Sequence, residues 1–222
     1  MDWFEGEDGV SEWWSVATYF AAAALAGATA WRLRRIGHPR LVSLQVVLAG
    51  VLLIGVMEEI SWGQRLFDWS TPQALDTINE QGETTIHNIR SLDTVISHVF
   101  FWGSVVGLAG GAIRALWHRQ GRATSADFLL PSLVLAPALL MILVWRLDTV
   151  WLPVNLPRLL MEFYDLGPQR TEVPEVLLGL CLCVYTYGNL RRASGLPRSS
   201  GAARQEDPGN PAEGGSSMLP LG

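Results

Sequence analysis

Glu58 and Glu59 end a run of seventeen uncharged residues, 41–57, and a dense polar set follows them: Trp62, Gln64, Arg65, Asn79, Gln81, Glu83, His87 and Asn88. Acids at the lip of an apolar segment long enough to cross a bilayer are costly to place and often functional. Three chemistries fit these residue types. In the first, the site is catalytic: a desolvated Glu58 or Glu59 exchanges protons with a substrate, His87 partners it, and Arg65 or Arg146 holds an anionic headgroup. Trp62, Gln64, Asn79, Gln81, Glu83 and Asn88 complete the ligand-binding set.

In the second, Glu58, Glu83 and His87 hold a divalent metal such as Mn, Fe or Zn. Glu83 and His87 would be i, i+4 neighbours on a helix. The ligand count is thin, however, and the chain has neither an HExxH nor a carboxylate-ExxH motif. In the third, the same residues are ion pairs and hydrogen bonds that close one end of the bundle, with Arg65, Arg90 and Arg146 neutralising the acids.

The elements that must position these groups follow from composition. With 49% apolar and 17% charged residues in 222, and the apolar ones in long blocks, the chain reads as a membrane bundle rather than a soluble core. Five blocks approach the roughly 20 residues that a hydrocarbon core demands: 13–31, 41–62, 95–117, 128–145 and 173–190. The expected fold is therefore all-α, a polytopic transmembrane bundle of about five spans. Residues 1–191 form the membrane domain and 192–222 a disordered cytoplasmic tail too polar to bury a core. Tryptophans sit near most block ends, where indoles favour the headgroup layer.

Charge sets the orientation. All sixteen basic residues are Arg; with the N-terminus outside, eleven fall on the cytoplasmic side and five outside, as the positive-inside rule requires. The acidic head lacks the basic start of a cleavable signal, so the first span reads as a reverse signal-anchor. The expected location is the bacterial cytoplasmic membrane, multi-pass, with the C-terminus in the cytoplasm. The arginines do not cluster as a nucleic-acid face would, so nucleic acid is excluded as a partner.

That orientation puts residues 63–92, between spans two and three, on the outer face. Thr71-Pro72 predicts an N-cap and N1 pair opening a short helix over 72–79, and Gly82 a break. In span three, Gly103, Gly107 and Gly111 form a smooth strip suited to internal packing, with homodimerisation the alternative. Pro131 and Pro137 predict a kink in span four. Cys181 and Cys183 point in different directions and read as small apolar fillers.

The run EEISWGQR from Glu58 to Arg65, then Thr71-Pro72, then Asn79, Gln81, Glu83, His87 and Asn88, resembles the signature of a family of uncharacterised bacterial multi-pass membrane proteins. The resemblance covers about a seventh of the chain. It implies an integral membrane protein and marks these residues as the signature; it implies no activity, substrate or cofactor. Membrane hydrolases of the ceramidase type need several zinc histidines, and the four here are scattered. The expectation is an outward polar pocket that binds or processes a lipid-linked or envelope-derived ligand. The alternative is a structural or assembly subunit docking a membrane protein partner.

Overall fold

The computed structural model describes residues 10–67, 69–79, 82–86, 89, 92–117, 125–150 and 172–198. Five long helices carry the architecture: α1 (Val10–Arg35), α2 (Pro39–Glu59), α5 (Asp93–Trp117), α6 (Ala136–Val150) and α7 (Glu172–Gly195). One-turn helices α3 (Gln64–Phe67) and α4 (Gln73–Asp76) lie between α2 and α5. Among the described residues there is no strand, only an isolated antiparallel bridge between Asn79 and Ile89.

Three helical stretches, Pro39–Glu59, Thr94–Trp117 and Val173–Gly195, are long and apolar enough to cross a membrane. The fourth expected span is reorganised. Two short 3-10 turns, Ser125–Phe128 and Leu133–Leu135, precede α6, and the shorter apolar helical stretch is Leu133–Leu147. Pro131 falls in the non-helical link between the turns, and Pro137 sits at the second residue of α6, where its missing N–H costs nothing. The prolines thus delay the start of a helix rather than kink one.

Helix α1 is the hub. It turns at Gly37 (φ +80°), a left-handed position that suits glycine, and returns antiparallel as α2. On its other side it runs parallel to α7: the Tyr19 hydroxyl donates to the Glu175 carbonyl at 3.4 Å, and Leu33 packs with Ala193. Small residues on one face of α1 (Ser15, Thr18, Ala22, Ala26, Thr29) are all buried and let these helices come close. A Cβ added at Gly179 of α7 would collide with the Thr18 hydroxyl. Helix α5 pairs antiparallel with α6, which in turn packs on α7.

The glycine strip belongs to that α5–α6 seam. Gly107 faces Leu139 and Gly111 faces Leu133, while Gly103 faces open space. Internal packing therefore accounts for two of the three glycines, because a side chain at either would press into α6 or the turn before it.

The bundle buries small and polar side chains alongside its apolar ones and exposes many bulky apolar ones. Buried positions include Ser15, Thr18, Thr29, Gln45, Thr186 and Asn189, whereas Val46, Val47, Val51 and Ile54 of α2 each expose more than half their surface. Helices that associate in lipid use small and polar contacts in this way and turn their bulky apolar side chains outward. Cys181 and Cys183 are free thiols; Cys183 donates to the Thr18 carbonyl at 2.9 Å, so one of the two fillers also joins α7 to α1.

Candidate functional site

At the end of α2 the chain reverses through Ser61, Trp62 and Gly63, three successive residues with positive φ (51°, 54° and 95°). A left-handed conformation costs a non-glycine residue about 1–2 kcal/mol, so something must hold Ser61 and Trp62 there. Part of the answer is Glu58, whose carboxylate accepts the Trp62 indole N–H at 2.5 Å. Trp62 and Glu58 do meet as i, i+4 partners, although regular α-helix ends at Glu59. Gly63 is costly to replace: its φ is left-handed, and an added Cβ would stand 3.1 Å from Trp69 and 3.3 Å from Phe67, pressing both rings aside. Those two rings stack on each other at 5.6 Å between centroids.

The second oxygen of Glu58 accepts the Ile86 backbone N–H at 2.8 Å, across 28 residues of sequence. Ile86 ends segment 82–86, which has no regular secondary structure. Backbone groups removed from water must find partners, and here side chains supply them. The Gln64 amide oxygen accepts from Thr84 N at 2.8 Å, while its nitrogen donates to the Thr71 hydroxyl at 2.8 Å. Thr71 in turn donates to the Gly82 carbonyl. The Asn79 oxygen accepts from Glu83 N at 3.2 Å, and its nitrogen donates to the Thr85 carbonyl at 2.9 Å. Asn79 and Thr85 are both buried. Every residue of 82–86 is thus held by a side chain lying outside that segment.

This geometry revises three sequence expectations. Thr71 does not cap the following helix: Pro72 occupies the cap position without a side-chain bond, and the Thr71 hydroxyl is spent across the loop on Gln64 and Gly82. The predicted helix over 72–79 is regular over a single turn, 73–76, although helical backbone bonds continue from Thr77 to Gln73 and from Asn79 to Leu75 while the Asn79 side chain joins the clamp. The helix that would pair Glu83 with His87 is not formed over 82–86, which is a clamped bend, and His87 itself lies outside the described residues. Gly82 does break the chain direction, at φ +66°.

The candidates do not gather at one point. Glu58, Trp62, Gln64, Asn79 and Glu83 belong to the clamp. Glu59 faces a different cluster, where its charge and that of Glu175 both reach the Tyr19 hydroxyl. Arg146, 5% exposed, is bonded on α5 instead, donating to Ser97 Oγ at 3.3 Å with its guanidinium carbon 5.1 Å from the centre of the Phe100 ring. Gln81, His87 and Asn88 lie outside the described residues, as does the side chain of Arg65. Among the described residues no group of three or more His, Cys, Asp or Glu side chains is placed to hold a metal ion.

A second polar cluster, at the opposite end of the bundle, had no local signal in the sequence. Arg114 Nε donates to Asp127 at 3.3 Å, an ion pair whose two side chains are only 11% and 8% exposed. Arg192 donates to the Asp127 carbonyl at 2.7 Å and to the Asn189 side chain at 2.5 Å. The Tyr185 hydroxyl donates to the Phe128 carbonyl. These residues are scattered from 114 to 192 and converge only through folding.

Comparison of the chain with protein-family models, with characterised proteins and with solved structures returned no match to any of them.

Proposed function

We propose that this is a five-span protein of the bacterial cytoplasmic membrane, N-terminus outside, whose signature loop is a prefolded recognition platform on the outer face. It binds a lipid-linked or envelope-derived polar ligand without performing chemistry through Glu58. The observation that carries this reading is the double engagement of Glu58, with one oxygen on the Trp62 indole and the other on the Ile86 amide. A carboxylate committed to two donors is a structural tie and a poor proton-transfer group. What the tie accomplishes is preorganisation: residues 82–86 are ordered before any ligand arrives, which removes that cost from binding.

Helix directions support the topology. Helices α1 and α7 run parallel and α2 runs against them, as alternating spans require. The arginine-rich segments gather where α1, α5 and α7 end. The resemblance of the signature to multi-pass membrane proteins points the same way.

A second reading, an assembly subunit that docks a membrane protein, is favoured by the exposed Leu66, Phe67, Trp69, Ile78 and Ile86 on the same loop. Native mass spectrometry of the protein purified with envelope lipid separates the two. On the leading reading wild type carries a co-purifying ligand that Gln64→Ala, which unlocks Thr84, loses. An identical ligand profile in both proteins rejects it and leaves the assembly reading. Orientation is checked in intact cells: a cysteine at Thr77 should react with an impermeant maleimide, and one at Ser194 only after permeabilisation.

A further inference from the structure

Among the described residues, one buried cation has only neutral company. Arg146 is 5% exposed, and its two described contacts are the Ser97 hydroxyl, itself fully buried, and the face of Phe100. Its Nε is buried and donates to no group. Taking a guanidinium out of water costs several kcal/mol and is recovered only by a well-placed counter-charge with further hydrogen bonds. A hydroxyl and one ring face do not supply that.

The geometry also says which edge of the group lacks a described partner, although Nε itself is closed to solvent in this structure. Ser97 engages Nη1, so the remaining edge is the one formed by Nε and Nη2. That edge grips two oxygens of one oxyanion side-on. Depth restricts the ligand further. Ser97 lies about one helical turn inside the start of α5 (Asp93–Trp117), which is near the headgroup layer if α5 crosses the bilayer. The neighbouring His98 is turned away, its Nδ1 held 2.7 Å from the Thr94 carbonyl.

We propose that Arg146 and Ser97, between α5 and α6, form an oxyanion site that takes a phosphate group side-on. The occupant is either the phosphodiester of an anionic phospholipid or free phosphate. The headgroup version rests on the membrane reading above; the phosphate version does not. The site is separate from the loop platform, so either can fail alone.

The test uses the full chain purified in a maltoside detergent, which contributes no phosphate. Thermal unfolding and native mass spectrometry are read with phosphatidylglycerol, with diacylglycerol bearing the same chains, with inorganic phosphate, and with chloride at matched ionic strength. The expected result is stabilisation by phosphatidylglycerol or phosphate but by neither control. Arg146→Gln should weaken that binding at least about tenfold, the loss of one charge-assisted contact. Arg191→Gln, an exposed arginine at the other end, should leave it unchanged. Should Arg146→Gln fail to fold, Arg146→Lys keeps the charge without the side-on edge and should also bind more weakly.

A response to the phospholipid alone identifies a headgroup site, and an equal response to phosphate identifies a site for the free ion. No response to either overturns the proposal, and so does an undiminished response in both Arg146 variants.

Discussion

The two ends of the bundle solve the same problem with different balances of donors and acceptors, the signature end adding acceptors that the far end lacks among the described bonds. Each has an irregular stretch of backbone that needs partners. At the signature end, side-chain acceptors hold backbone N–H groups: Glu58 on Ile86, Gln64 on Thr84 and Asn79 on Glu83. At the far end, side-chain donors hold backbone carbonyls: Arg192 on Asp127, and Tyr185 and Asn189 on Phe128. Acids and amides therefore do structural work where acids predominate, and an arginine does so where arginines predominate.

The ends differ in how much they depend on charge, and this ranks the tests. Arg114→Ala should have the largest effect, because it breaks the buried ion pair with Asp127. A loss of about 3–5 kcal/mol is expected, read as a fall in unfolding temperature in detergent, and Asp127→Asn should be milder. If the two variants unfold alike, the far end is not held by its ion pair.

Glu58→Ala comes next. It removes the acceptor from Trp62 and Ile86 together and should cost about 2–3 kcal/mol, seen as faster hydrogen exchange confined to 82–86. Glu58→Gln retains an acceptor and should recover part of the protection. Exchange that is slow in all three proteins would mean that the tie is incidental.

Gly63→Ala should cost about 1–2 kcal/mol through its left-handed φ. The damage should be visible as loss of the Phe67–Trp69 stack in the near-ultraviolet circular dichroism. The smallest change should be of the opposite sign. Gln45 of α2 is fully buried, and neither atom of its amide has a partner among the described residues. Gln45→Leu should raise stability by about 1 kcal/mol, because it removes a buried amide with both atoms unmet. Destabilisation instead would show that Gln45 has a partner of its own, such as a bound water.

Some of this was legible in the residue order. The long apolar runs, their end arginines and the dense signature are local, and local pattern identifies helices, the membrane class and the stretch worth inspecting. The roles within that stretch were harder to read. Glu58 and Glu59 are adjacent, yet one ties the loop and the other faces α1 and α7, because consecutive helical residues point about 100° apart and packing alone says what each meets. The helix expected to carry Glu83 is replaced over 82–86 by a bend held from outside the segment.

What the sequence determined by itself was an all-helical chain with segments long and apolar enough to cross a bilayer and a steep charge gradient from end to end. Those properties are sums over neighbouring residues, and neighbours in the chain suffice to state them. Tertiary structure decided which polar groups are spent and which are left over. Gln64 became a clamp, Asp127 a buried counter-ion and Arg146 a cation with only neutral company. Each depends on contacts made between residues far apart in sequence, 13 residues for Arg114 with Asp127 and 49 for Arg146 with Ser97. Such meetings are fixed by which helix each small-residue face packs against, and the spacing of small residues shows a face without naming its partner.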